Sequence, residues 1–138
     1  MNVQDILRVV SGIFAIVGTI VLIIGIATGR WRFGYQSAMR AGDPGVYWLL
    51  VARYACLVLG MALAATVAPE HAIGPVIGLS MFGPALVVAL ITGRFEWEAD
   101  NKRIDRPARF WGWVAFYALL SLLMGVIVIM ETISPTAP

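Results

Sequence analysis

The chain has 138 residues, enough for one small domain, and is 60% hydrophobic with only 13% charged residues. With a mean hydropathy of +0.86, this excludes an ordinary soluble domain, where about 25% of residues are charged. A net charge of +2 does not point to nucleic acid, because the basic residues sit in two short loops between apolar runs.

Four runs are long enough to cross a bilayer, which takes about 20 apolar residues. The first is Ile6–Ala27, uncharged from Val9 onward. No basic segment precedes it, so it is expected to remain as a span and not to be cleaved as a signal peptide. The loop Arg30–Gly45 follows, with Arg30, Arg32 and Arg40. The second run, Val46–Ala68, is broken only by Arg53. Asp43 before Pro44 predicts a capped start with proline in the first turn. Pro69-Glu70-His71 makes a tight turn into the third run, Ala72–Gly93. Pro84 there predicts a kink, since proline removes a ladder donor. The third helix is expected to continue past the membrane, because Arg94, Glu98 and Lys102 are opposite charges four apart. The loop Arg94–Arg109 carries Arg94, Lys102, Arg103, Arg106 and Arg109, and the fourth run is Phe110–Met130. Asp105 and Pro107 imitate the Asp43-Pro44 start less cleanly, with Arg106 between them.

The chain repeats itself. Pro44-Gly45-Val46-Tyr47-Trp48-Leu49-Leu50-Val51-Ala52-Arg53-Tyr54-Ala55 returns 63 positions later, from Pro107 to Ala118, with six of twelve positions identical. Thr28-Gly29-Arg30-Trp31 matches Thr92-Gly93-Arg94-Phe95 at an offset of 64. The expected architecture is therefore a single all-α transmembrane domain over residues 1–138, a four-helix bundle of two tandem two-helix units. The units span about 6–68 and 72–130 and are expected to be related by a pseudo-two-fold along the membrane normal. Apart from Arg8 and Arg53, all eight basic residues fall on one side. The positive-inside rule then places both loops in the cytoplasm and both termini outside.

Small residues at strict spacing of four, Ala52, Cys56, Gly60, Ala64 and Ala68, draw one stripe down the second run. Such stripes let helix backbones approach closely, so this one is read as a packing face. Shorter versions are Ser11, Ala15 and Thr19 in the first run, Gly74 with Gly78 and then Ala85, Ala89 and Gly93 in the third, and Ser121 with Gly125 in the fourth.

Arg53 is the one charge deep in an apolar run. Intramembrane charges are candidates for function. The structural alternative is a side chain that snorkels to the interface or pairs with a loop carboxylate. The repeat puts Phe116 at the matching place, so the unit itself does not require a charge there. All five Trp and all four Tyr lie in the half of the bundle that carries the basic loops. A one-sided aromatic belt that sets depth is one reading. The other is a binding face, in which Arg30, Trp48, Arg53, Arg94 and Trp111 converge on an anionic phospholipid or a partner.

Catalysis is not expected. His71 is the only histidine, and Cys56 the only cysteine, which leaves no ligand set for a metal or haem and no disulfide. Glu96, Glu98, Asp100 and Asp105 are interleaved with Lys and Arg, as in a solvated loop. No glycine loop of the nucleotide-binding kind occurs, and no cofactor is expected. The function expected is that of a small non-catalytic multi-pass protein of the bacterial inner (plasma) membrane. It would serve as an accessory, assembly or scaffold subunit, homo-oligomeric or part of a larger membrane complex, binding a partner or anionic lipid at its cytoplasmic face. A small oligomeric transporter or channel is the alternative, and a lipid-modifying enzyme is less favoured.

Overall fold

Each helix starts and stops where the sequence supplies a physical reason. α1 spans Val3–Thr28. The Asp5 carboxylate in its first turn accepts the Asn2 N–H at 3.0 Å, satisfying one of the donors that a helix N-terminus leaves over. It ends at Gly29, whose φ of 62° is the left-handed conformation that glycine adopts without a Cβ penalty. α2 spans Pro44–Thr66, with Pro44 in the first turn and the Asp43 carboxylate accepting the Val46 N–H at 3.2 Å. The Asp43-Pro44 start is thus as the sequence predicts. The Val67 and Ala68 N–H groups both fold back to the Leu63 carbonyl at 2.9 Å. The 3-10 turn Glu70–Ala72 then leads into α3, Ile73–Thr92, which closes on Gly93 at φ 67°. α4 spans Pro107–Ile133, and the Arg106 carbonyl accepts its first backbone bond, from the Phe110 N–H at 3.0 Å.

The computed structural model describes residues 2–33, 36–93 and 106–133, with the side chains of 32, 33 and 36–39 outside that description. The charged continuation of the third helix beyond Gly93 and the Asp105 cap fall on residues outside it. α3 runs through Pro84 as one helix. All four helices are long and apolar enough to cross a membrane, so the chain reads as a multi-pass membrane protein.

One element departs from the all-α expectation. Residues Arg30–Phe33 (β1) and Gln36–Met39 (β2) pair antiparallel, with Arg30 opposite Met39 and Trp31 opposite Ala38. The local pattern explains it. Arg30-Trp31-Arg32-Phe33 alternates polar and apolar, the period of a strand, and only Gly34 and Tyr35 separate the two strands, the spacing of a tight hairpin. The Gly29 carbonyl closes the base of the hairpin by accepting the Arg40 N–H at 2.9 Å.

The helices pack in chain order: α1 on α2, α2 on α3, α3 on α4. A closed pseudo-two-fold would also pack α4 on α1, as it packs α2 on α3. Among the described residues α1 and α4 share no such face. Their outer surfaces are instead rows of exposed apolar side chains, such as Ile13, Ile16, Val17, Ile20 and Ile24 on α1 and Leu119, Leu122, Val126 and Ile129 on α4. In a bilayer those rows meet lipid tails, where exposure of apolar surface costs nothing.

Within the chain the stripe on α2 divides in two. Gly60, Ala64 and Ala68 are buried, but Ala52 and Cys56 are exposed. The reason is helical geometry. Four residues overshoot one turn of 3.6 by about 40°, so five residues at spacing four swing through roughly 160° and cannot all face one neighbour. The buried half of the stripe meets α3, where a Cβ added to Gly60 would overlap the side chain of Ser80. On α1 the contact face follows a spacing of seven, which drifts only about 20° the other way. Ser11 is buried, a Cβ on Gly18 would lie 2.7 Å from Val58 Cγ2, and one on Gly25 would lie 2.5 Å from the Trp31 ring. Thr19, expected on that face, is exposed. Ala85 and Ala89 on α3 are buried as expected, whereas Gly74 and Gly125 meet open space.

At the opposite end from the hairpin, Arg8 reaches from α1 to α2. Its Nη2 donates to the Ala68 carbonyl at 2.8 Å, in the turn that follows α2. Ala64, Ala68 and Ile73 form a small core beside it.

Candidate functional site

The matched halves of the repeat build matched local structure at the end that carries the hairpin and the described loop arginines. Thr28 and Thr92 each donate a hydroxyl hydrogen bond to the carbonyl four residues back, at 2.8 Å in both cases. Gly29 and Gly93, the next residues, both take the left-handed cap. Tyr47 and Phe110 are both fully buried, and the tryptophans that follow, Trp48 and Trp111, are 49% and 50% exposed. Each tryptophan stands edge-on to its buried neighbour, with ring centroids 5.2 Å apart for Tyr47–Trp48 and 5.5 Å for Phe110–Trp111. An inward ring followed by an outward indole fixes helix depth, since the indole prefers the interface zone.

The one chemical difference between Tyr47 and Phe110 has a structural counterpart. The Tyr47 hydroxyl donates to the Gly25 carbonyl at 2.9 Å, one of the last carbonyls of α1. At the matching carbonyl of α3, Ala89, the donor is the Gly93 N–H at 2.8 Å. The phenol supplies to one unit what the backbone cap supplies to the other.

Trp31 is not an interface residue. It is 2% exposed and packs with Tyr47, Leu50, Val51 and Val88. Its ring lies 4.7 Å from that of Tyr54. Folding the loop into a hairpin carries this indole back into the end of the bundle, and Gly25, without a side chain, leaves room for it. The core of this end is therefore closed by a residue from the loop. The alternation of residues 30–33 was the available signal for it.

Comparison of the chain with protein-family models, with curated proteins and with solved structures finds no match. What the site can do must therefore be argued from its own residues.

The five residues expected to converge are placed as follows. Arg30 opens β1 and is exposed. Trp48 and Trp111 stand on α2 and α4, which flank α3. Arg94 lies outside the described residues. Arg53 is half-buried, five residues beyond Trp48, or about 8 Å further along the helix. Its guanidinium carbon is 5.6 Å from the centre of the Tyr54 ring, a cation–π contact. Tyr54 and Tyr117 occupy the same position in the two copies of the repeat. Tyr117 is held by Phe82 on α3, with ring centroids 5.3 Å apart, and joins a core of Ala85, Ala89 and Phe110.

Among the described residues no group of three or more His, Cys, Asp and Glu side chains could hold a metal ion. Cys56 is free and exposed on the lipid-facing side of α2, and His71 is at the far turn. Among the described polar side chains at the hairpin end are Arg30, Arg40, Tyr47 and the Asp43 carboxylate that caps α2.

Proposed function

We propose that this chain is a non-catalytic membrane protein of the bacterial inner membrane. It acts as an accessory, assembly or scaffold subunit and holds an anionic phospholipid, or the acidic surface of a membrane partner, at its cytoplasmic end. The observation that carries the reading is one-sidedness. Eight of the ten basic residues fall between α1 and α2 or between α3 and the first turn of α4, the stretches that precede Trp48 and Trp111, which show half of their surface. By the positive-inside rule that end is cytoplasmic, and the cytoplasmic leaflet bears the anionic lipids. Arg30 and Arg94 begin the two loops at matching positions, each directly after a helix-capping glycine. Guanidinium groups in those places present paired donors to a phosphate or carboxylate.

The test is the double substitution Arg30→Gln with Arg94→Gln. Each surface contact with an anionic lipid is worth about 1 kcal/mol, so the pair should lower retention by roughly thirtyfold. Native mass spectrometry of protein purified in mild detergent reads this directly. Unchanged lipid and partner content in a folded double mutant would leave each Trp and Arg as an anchor for its own helix and nothing more.

A further inference from the structure

Arg8 is a cation that its own chain does not neutralise. It is half-buried, and among the described residues its one polar partner is the Ala68 carbonyl, which accepts from Nη2 at 2.8 Å. A carbonyl fixes the guanidinium but brings no full negative charge, and most of the N–H donors are left over. A partly buried charge without a counter-charge is costly. Gln4 stands one turn earlier on the same face of α1. Its amide oxygen is buried and has no hydrogen-bond donor among the described residues. The uncharged run of α1 begins with the next residue, Val9, so Arg8 stands where hydrocarbon gives way to head groups. The charges next to it along the chain are negative. Asp5 is three residues before Arg8 on α1, and Glu70 is two residues beyond Ala68. Both are exposed, and neither pairs with Arg8.

We propose that Arg8 binds the phosphate of a zwitterionic phospholipid, of the phosphatidylethanolamine kind, from the leaflet at the end opposite the hairpin, with Asp5 and Glu70 receiving its ammonium group. The site is separate from the one proposed at the basic end and stands without it. Three features support it. First, helix side chains lean toward the helix N-terminus, so on α1 the guanidinium is carried out of the hydrocarbon toward the head groups. Second, a phosphodiester brings the full negative charge that the Ala68 carbonyl does not, with oxygens for paired guanidinium donors. Third, the local charge selects the rest of the head group. An anionic head group would stand beside carboxylates, whereas an ammonium group brings donors to those carboxylates and to the Gln4 amide oxygen. The excess of arginines at the hairpin end favours the opposite choice.

The experiment uses the full chain in mild detergent, titrated separately with phosphatidylethanolamine, phosphatidylglycerol and inorganic phosphate. Native mass spectrometry and thermal stability are the readouts. Phosphatidylethanolamine should raise the melting temperature and leave one retained lipid per chain that depends on Arg8. Arg8→Gln should weaken that retention about tenfold, as expected for loss of a charge-assisted hydrogen bond. Asp5→Asn with Glu70→Gln keeps the guanidinium and its bond to Ala68. It should weaken phosphatidylethanolamine several-fold and raise the phosphatidylglycerol that Arg8 retains. Arg30→Gln with Arg94→Gln, at the other end, should leave phosphatidylethanolamine in place. Unchanged phosphatidylethanolamine retention in a folded Arg8→Gln variant would mean that Arg8 only clips α1 to the turn after α2, and the site would be wrong. Loss in the Arg30 and Arg94 variant alone would assign the lipid to the basic end and reject the site as well. Equal protection by inorganic phosphate would mean a free anion and would overturn the lipid assignment. Should Arg8→Gln fail to fold, an unchanged preference between the two lipids in the Asp5 and Glu70 variant is sufficient to reject the site.

Discussion

Gly60→Ala is expected to destabilise the bundle, and Ser80→Gly introduced beside it is expected to restore it. A Cβ on Gly60 would overlap the Ser80 side chain but would lie 3.7 Å from the Ser80 Cα, an ordinary contact distance. The clash is thus with one side chain and not with the α3 backbone. Overpacking of this kind costs about 1–3 kcal/mol, against a gain of up to about 1 kcal/mol from replacing glycine inside a helix. Gly60→Ile should cost more, because the branched side chain would separate α2 from α3. Cys56→Ile, one turn away on the exposed side of the same helix, should be near neutral. Thermal denaturation of Gly60→Ala, Ser80→Gly and the double variant forms a double-mutant cycle, with Cys56→Ile as an outside control. Additive effects of Gly60→Ala and Ser80→Gly would mean that the two helices do not meet at this point.

Trp31→Ala should be the most damaging of the single tryptophan replacements. Trp31 is 2% exposed, whereas Trp48 and Trp111 are about half exposed. Truncating a buried Trp costs about 3–5 kcal/mol, which corresponds to a melting temperature lowered by roughly 10 °C or more. Trp48→Ala and Trp111→Ala should change stability far less. Gly25→Val approaches the same contact from the other side, since even a Cβ there would lie 2.5 Å from Trp31 Cζ3. It should displace the indole and loosen the hairpin, which limited proteolysis within residues 30–40 would detect. If Trp31→Ala proves as mild as Trp48→Ala, the hairpin does not close the bundle.

Much of the fold is legible because lipid imposes it. Backbone groups in hydrocarbon must be satisfied within their own segment, so length and hydropathy alone locate the four helices. The start of α2 agrees because Asp43-Pro44 is a local device that acts without knowledge of the fold, whereas α3 closes on Gly93, where the charge pattern predicts continuation. Which helix face packs is harder to read, since side chains that face lipid and side chains that face a neighbour are equally apolar. The spacing of four on α2 puts only Gly60, Ala64 and Ala68 inside the chain, because regular spacing and a constant direction differ by about 40° per step. The spacing of seven on α1, through Ser11, Gly18 and Gly25, was the better guide.

Exposure at the basic end follows helix position and not residue type. Trp48 and Trp111 stand half exposed, as an interfacial or binding role requires. Trp31, grouped with them by residue type, belongs to the core, because a strand pairing carries it there. The ring of Tyr117 packs on Phe82 of α3, a pairing that only the tertiary packing supplies.

The central claim is that the basic end faces the cytoplasm. It is tested most directly by single cysteines, Ser37→Cys, Asn101→Cys and Thr136→Cys, each in a Cys56→Ala background. Cys56 is exposed on the lipid-facing side, so its removal should leave the bundle intact. A membrane-impermeant maleimide applied to intact cells should label only the cysteine at 136, and after permeabilisation it should label all three. Labelling at 37 and 101 from outside in intact cells, with 136 protected, would reverse the orientation and remove the basis for cytoplasmic lipid or partner binding.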